Sequence, residues 1–283
     1  MKVQIGDAEL YWCLSECFRA LQLLDKAFST LQAGIRLYPT VGKLHFSLIV
    51  NLQRNGRTQE AILSADIASK LLPHDYTFKI LNNLLVPTIY YQQEEIGFYR
   101  QRFINGLEAL IEQTSLETPE EQQDALAGIS RLTNFYLSYQ AQNDRELQSK
   151  YGNLVHQIMV ANYPQWVKPV LMPPFKEKNK IRIGYVSAYL HSYSGTLWLT
   201  GWLRYCDRQN FEVYCYYTGN NPDAITKTFQ EYSDYFYHFP HNLEAACEQI
   251  IADHLHILIF PEIGMEPQTM QMASLRLAAV QCT

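Results

Sequence analysis

The sequence predicts an all-helical repeat domain, residues 1–165, followed by an α/β domain built on a parallel sheet. Pro39 and Pro73 each close a helical pattern and lie 34 residues apart, which is the period of tetratricopeptide repeats. After Lys180, short apolar runs alternate with helical patterns, as expected of parallel strands joined by helices. A linker rich in proline and lysine, residues 166–180, separates the two patterns.

Length and composition fit two globular domains and exclude several other classes of protein. The 283 residues are 47% apolar and carry a net charge of -5, so the chain can bury two cores and lacks the basic character of a nucleic-acid binder. The most apolar run, Leu255–Phe260, is too short to cross a bilayer, and residues 1–4 lead into no apolar signal segment. The six cysteines form no C-x-x-C pair, and we expect Cys13 and Cys17 to be buried free thiols. These features predict a cytoplasmic protein with no membrane or nucleic-acid partner.

Two repeats are predicted at about residues 8–41 and 42–75, each with two antiparallel helices. Large apolar residues such as Leu31 and Leu52 would fill the groove between the helices. Gly56 lies in a turn between helices, where a positive φ is tolerated. Small residues recur where the helices would approach closely, at Ala27, Gly34, Ala61 and Ala68.

Helical patterning continues after the repeats. An amphipathic helix is predicted over residues 98–111 and another around 144–160. Between them, Thr118 and Pro119 form a helix start, with threonine as the cap and proline in the first position, and apolar positions continue to Tyr139. Because two repeats are too few for a stable solenoid, these helices would stack on them.

The second domain, residues 181–283, is predicted to be Rossmann-like, because its strands and helices alternate at the spacing of right-handed crossovers. Strands are predicted at 181–186, 211–217, 235–239, 257–260 and 278–282, and helices at 197–205, 225–232, 243–253 and 268–277.

Candidate site residues lie in loops after the strands, because ligands of open parallel sheets bind outside the carboxyl ends of the strands. The loop over residues 187–196 places hydroxyl groups and a glycine before a helix N-terminus, where free N–H groups favour an anion. It matches neither G-x-G-x-x-G nor G-x-x-x-x-G-K-[ST], which disfavours a nicotinamide-dependent oxidoreductase and a P-loop enzyme. A cap without a ligand is the plainer alternative for this loop. Likewise, Glu262 would face the cleft, unless it is a solvated acid at a strand end.

Three blocks of residues resemble one family of glycosyltransferases. Ile181–Ser187, preceded by the repeats, is similar to the opening strand of the catalytic region in the O-linked N-acetylglucosamine transferase family (Spindly type). Phe211–Tyr214 resembles the second strand of that region. Ile257–Ile259 and Leu275–Gln281 resemble its fourth strand and the L-R-x-A-P-[IV]-Q segment, in which Ala279 replaces the usual proline. The resemblance extends over essentially the whole chain.

The resemblance implies that a sugar such as N-acetylglucosamine is transferred from a UDP-sugar to a Ser or Thr hydroxyl of a protein, without a metal or a further cofactor. The helical repeats would bind the protein or peptide acceptor. The family's catalytic region has two Rossmann-like halves with the active site between them. This chain would hold only the amino-terminal half, so a carboxyl-terminal catalytic half is a further expected partner. The alternative function is that of a non-catalytic scaffold of tetratricopeptide repeats.

His191 and Tyr193 are the candidate catalytic residues that the resemblance implies. Alignment on residues 182–187 places Tyr193 where many relatives carry a histidine near the reacting centre, and His191 lies two residues away. A phenol, with an ordinary pKa of about 10, is a poor base at neutral pH, whereas an imidazole titrates near about 6.5. His191 would therefore act as the base only if the loop is rearranged. The residues expected to line the cleft near the sugar are Ser187, Ser194, Gly195, Thr196 and Glu262.

Overall fold

The computed structural model describes residues 5–174 and 180–283. Residues 1–4, where we predicted no signal segment, lie outside the described residues. The same holds for residues 175–179, which form part of the predicted linker.

The chain divides into two compact units, the first ending at Tyr151 and the second beginning at Gly152. This division falls inside the helix Arg145–Asn162, ahead of the linker at 166–180 where we predicted the boundary. The last turns of that helix are therefore grouped with the second unit, and each unit is described by itself below.

Four helices form the two predicted repeats. They are α1 (Ile5–Ala20), α2 (Leu24–Leu37), α3 (Gly42–Arg54) and α4 (Thr58–Leu71). Gly34 lies where α1 and α2 are closest, because a Cβ at this position would be 2.8 Å from the Cβ of Tyr11. Ala61, Ala65 and Ala68 on α4 are fully buried, so small side chains permit the close packing that was predicted.

Four further helices complete the helical part of the chain. They are α5 (Tyr76–Leu84), α6 (Gln93–Gln113), α7 (Pro119–Ile129) and α8 (Arg145–Asn162). The predicted continuation of α7 to Tyr139 is wrong, since α7 stops at Ile129 and a short 3-10 helix covers Phe135–Gln140. The hydroxyl and the backbone N–H of Ser130 both donate to the carbonyl of Leu126, which satisfies the helix end and lets the chain turn.

The start of α7 confirms the predicted cap and yields a testable stability change. The backbone N–H of Glu121 donates to the Thr118 hydroxyl, and the Glu121 carboxylate accepts the Thr118 N–H in return. Replacing Thr118 by alanine should lower the free energy of unfolding by about 1 kcal/mol, as measured by urea denaturation. The exposed neighbour Glu120, replaced by alanine, is the control, and an equal loss in both variants would contradict the capping role.

The second unit contains five parallel strands and four helices. The strands are β1 (Ile181–Ser187), β2 (Phe211–Tyr217), β3 (Tyr235–His238), β4 (Ile257–Ile259) and β5 (Val280–Cys282). The helices are α9 (Leu197–Arg204), α10 (Ala224–Glu231), α11 (Leu243–Ala252) and α12 (Pro267–Ala273). In the described part of the chain, no helix is both long and apolar enough to cross a membrane.

The sheet has the order β3-β2-β1-β4-β5, with β1 at its centre and every pairing parallel. Tyr185, Cys215 and Tyr217 pack in one buried cluster with residues of α9 and α10, so these two helices cover one face. The neighbouring Tyr216 points to the other face, where its hydroxyl donates to Asp253 at the end of α11. The predicted Rossmann-like arrangement is confirmed.

The region between α12 and β5 departs from the prediction. We expected a helix to residue 277 and a strand from 278, whereas α12 ends at Ala273 and β5 begins at Val280. The Gln281 side chain accepts the Leu277 N–H and donates to the carbonyl of Ala273. A side chain therefore satisfies backbone groups that a longer helix would have paired internally.

The cysteines correct another expectation. Cys13 and Cys17 are exposed rather than buried, because Ala8 and Ser15 supply the buried face of α1. Cys215 and Cys247 are the buried thiols, and all six cysteines are free.

Candidate functional site

The candidate site lies at the carboxyl edge of the sheet, where the chain order reverses. β1 has β2 on one side and β4 on the other, so connections leave it in opposite directions and open a crevice beside it. Three loops meet at this edge: residues 188–196 after β1, 218–223 after β2, and 260–266 after β4.

The loop after β2 lies directly against the end of β1. The Thr218 N–H donates to the carbonyl of Ser187 over 3.0 Å. A Cβ at Gly219 would lie 2.2 Å from the carbonyl oxygen of Ala188, so glycine is required for this approach. Ser187 itself is fully buried, and its hydroxyl accepts the Tyr189 N–H.

Glu262 binds the end of β1 from the side of β4. Its Oε1 accepts the Ala188 N–H over 2.9 Å, its side chain is only 3% exposed, and its Oε2 has no hydrogen-bond partner. Burial raises the pKa of this carboxyl to about 7, although the Ala188 N–H opposes the shift. The alternative of a solvated acid at a strand end is therefore wrong. Glu262 is a buried carboxyl in the crevice that exchanges protons near neutral pH.

Two stacked tyrosines form the centre of the loop after β1. The rings of Tyr189 and Tyr193 lie 4.3 Å apart with 21° between their planes. Burial raises the pKa of Tyr189 to about 12, and the neighbouring Tyr193, Glu266 and Glu262 add to the rise. The Tyr189 phenol is therefore protonated at neutral pH and can donate a hydrogen bond.

Of the predicted cleft residues, Gly195 lies beside this stack and Thr196 supports it. A Cβ at Gly195 would lie 2.9 Å from the ring of Tyr193 and 3.8 Å from the Met265 side chain in the loop after β4. Thr196 is fully buried and its hydroxyl donates to the carbonyl of Tyr189 over 2.6 Å, so it holds the loop from inside. Ser194 is exposed.

His191 lies on the opposite side of the loop, towards β2. Its Nδ1 is 3.0 Å from the hydroxyl of Tyr217, which also accepts the Asn221 N–H. Its ring centroid is 6.1 Å from that of Tyr193. The two candidate catalytic residues are therefore near each other but contact different neighbours. Asp223 fixes the loop between them by accepting the Ser192 N–H.

Two residues of the site were missed in the sequence. Tyr189 lies four residues before Tyr193, and this spacing on a loop does not by itself indicate stacking. Glu266 caps α12 by accepting the Thr269 N–H. Its position directly before Pro267 is a recognisable helix start that could have identified it.

The histidines act as local hydrogen-bonding groups. His238 bonds the carbonyl of Gly219 through Nε2, and Nδ1 of His256 accepts the Arg182 N–H. Within residues 5–174 and 180–283, no group of three or more His, Cys, Asp or Glu side chains is placed to hold a metal ion.

Comparison with known proteins places this fold beside a glycosyltransferase. A solved structure of a mutant O-GlcNAc transferase from Thermobaculum terrenum matches 99% of this chain, with a TM-score of 0.58 and 18% sequence identity. The match covers 51% of that protein, so this chain spans about half its length. No family model and no curated protein matches the sequence. The similarity shows a common fold, with helical repeats followed by a Rossmann-like sheet.

Proposed function

We propose that this chain is part of a protein O-glycosyltransferase of the Spindly type, which transfers N-acetylglucosamine from a UDP-sugar to Ser or Thr of a protein in the cytoplasm. The observation that carries the proposal is the shared fold with an O-GlcNAc transferase over 99% of this chain. The crevice beside β1, with its buried carboxyl and its tyrosine pair, supports it as a place for the reacting groups.

The reaction would need groups that this crevice can offer. The acceptor hydroxyl oxygen forms a bond to the anomeric carbon while the bond from that carbon to the diphosphate breaks. The electron pair of the broken bond leaves with UDP, and the hydroxyl proton passes to a base. His191 and Glu262 are the two groups of the crevice suited to accept it, and no metal is required in this scheme. Tyr193 is retained as a candidate for orienting the sugar.

The helical repeats would hold the acceptor polypeptide, and a second Rossmann-like half would complete the cleft. The chain spans about half of the transferase that it resembles in structure, which supports a partner or a further segment carrying the remaining half. We therefore expect little transfer by this chain alone.

The experiment is transfer of radiolabelled N-acetylglucosamine from its UDP-sugar to proteins of the source organism. The full natural polypeptide, or the complex that contains this chain, should label Ser or Thr residues, whereas this chain alone should label them weakly. A parallel preparation lacking residues 181–283 should be inactive. Efficient transfer by that preparation, or no transfer by the natural complex, would contradict the proposal.

A scaffold function is the second candidate, and one surface favours it. Leu63, Ile67 and Leu71 are exposed along one side of α4, which is an apolar stripe of the kind that contacts other proteins. A scaffold would retain the same binding proteins when the second unit is deleted and would transfer no sugar in the assay above.

A further inference from the structure

Buried polar atoms without partners gather at the carboxyl edge of the sheet. Five buried side-chain atoms in the described part of the chain lack a hydrogen-bond partner. Three of them are at this edge: Thr218 Oγ1 after β2, Glu262 Oε2 after β4, and Gln268 Nε2 in the first turn of α12. Such atoms are few in native proteins, because each costs about 1–3 kcal/mol. Their concentration at one edge indicates that a ligand supplies the missing partners.

The charge of this edge restricts the ligand. The three loops contain the carboxyl groups of Asp223, Glu262 and Glu266 and no lysine or arginine. Diphosphate sites in proteins rely on arginine, lysine or a metal ion, and none of these belongs to the loops. The loops would instead repel an anion and attract a ligand that donates hydrogen bonds to carboxyl oxygens.

The stacked tyrosines restrict the ligand further, because the rings of Tyr189 and Tyr193 are each only partly buried. An aromatic surface beside hydrogen-bonding groups suits a ring with an apolar face and polar edges. A sugar ring meets this description and carries several hydroxyl donors. A uracil ring also stacks on aromatic side chains, but it offers one N–H donor and two carbonyl oxygens that the carboxyl groups would repel.

We propose that Tyr189, Tyr193 and Glu262 form a binding site for a neutral sugar ring, with the tyrosine pair against the face of the sugar and Glu262 Oε2 accepting a sugar hydroxyl. This inference deepens the proposed function and rests on it for the identity of the sugar. It assigns the sugar to this half of the cleft and excludes the nucleoside diphosphate from these loops. The sugar could belong to the donor or to a glycan on the acceptor, since both present the same chemistry.

The test is saturation-transfer NMR on the full chain with three separate ligands: UDP, UDP-N-acetylglucosamine, and the methyl glycoside of N-acetylglucosamine. We expect saturation of the sugar protons in both sugar-bearing ligands and little saturation of uracil. A stronger signal from UDP-N-acetylglucosamine than from the glycoside would assign the site to the donor, and the reverse order would assign it to an acceptor glycan.

Variants connect the signal to the named residues. Tyr193→Ala and Glu262→Gln should each weaken sugar binding about tenfold, whereas Tyr193→Phe should retain it because the stack is preserved. Tyr205→Ala is the matched control, since Tyr205 is 79% exposed on the same unit. Thermal unfolding of each variant shows whether it is folded.

The inference is overturned if UDP alone binds as well as the UDP-sugar, if the sugar protons receive no saturation, or if folded Tyr193→Ala binds normally. These outcomes are separable from failure of the proposed function. Transfer by the natural complex without sugar binding here would leave the proposed function in place. Sugar binding here without transfer by the complex would remove the glycosyltransferase but retain the site.

Discussion

Replacing Gly106 by alanine is expected to destabilise the helical unit by about 2 kcal/mol. A Cβ at Gly106 on α6 would lie 2.1 Å from the carbonyl oxygen of Asn83 at the end of α5. That oxygen belongs to the backbone, and Arg102 donates to it and to the carbonyls of Asn82 and Leu85, so α5 is held in place. Overpacking costs up to about 3 kcal/mol, whereas alanine gains about 1 kcal/mol over glycine in helix propensity.

Gly97 on the same helix is the matched control. A Cβ there would meet no atom within 4 Å, so Gly97→Ala should stabilise the protein by up to about 1 kcal/mol. Urea unfolding followed by far-UV circular dichroism measures both variants. If the two substitutions shift stability in the same direction, the tight contact between α5 and α6 does not limit this position.

Replacing Glu262 by glutamine is expected to remove a loss of stability between about pH 4.5 and pH 7. In this interval the folded state retains the proton of Glu262, whose pKa is raised to about 7, while the unfolded state, at the ordinary value of 4.5, has released it. Stability of the second unit therefore falls as pH rises through this interval, by about 3 kcal/mol in total. Glutamine does not titrate, so the variant should retain this stability at pH 8.

The measurement is urea unfolding of wild type and Glu262→Gln at pH 5 and pH 8, using tryptophan fluorescence because Trp198 and Trp202 lie in the second unit. Glu266→Gln is the control, since Glu266 caps α12 at the same edge but its substitution should leave the contribution of Glu262 in place. An equal pH dependence in wild type and Glu262→Gln would show that the Glu262 carboxyl does not titrate as described.

The parts of the fold that depend on local sequence could be predicted. The repeat period defined by Pro39 and Pro73 and the cap at Thr118 are encoded within a few turns of helix. The apolar run of β1 likewise indicates its own structure. The end of α7 could not be predicted in this way, because apolar positions continue past it and Ser130 stops the helix by bonding back to Leu126.

The candidate site was only partly predictable for a related reason. Strand order places the loops after β1, β2 and β4 at one edge, and this follows from the alternating pattern. The burial of Glu262 depends on its contact with Ala188, which is 74 residues away in the chain. The stack of Tyr189 on Tyr193 depends on the path of an irregular loop. Neither contact leaves a periodic signal in the sequence.

The central position of β1 determines the order in which the second unit can assemble during synthesis. β1 pairs with β2 soon after both emerge from the ribosome, but its other edge pairs Ile183 with Ile257, 74 residues further along the chain. Until β4 is made, that edge has unpaired N–H and carbonyl groups that can recruit other strands. The repeats contain only local contacts and can fold earlier. A nascent chain therefore carries a finished helical arm beside an open sheet, which is the stage most in need of a chaperone.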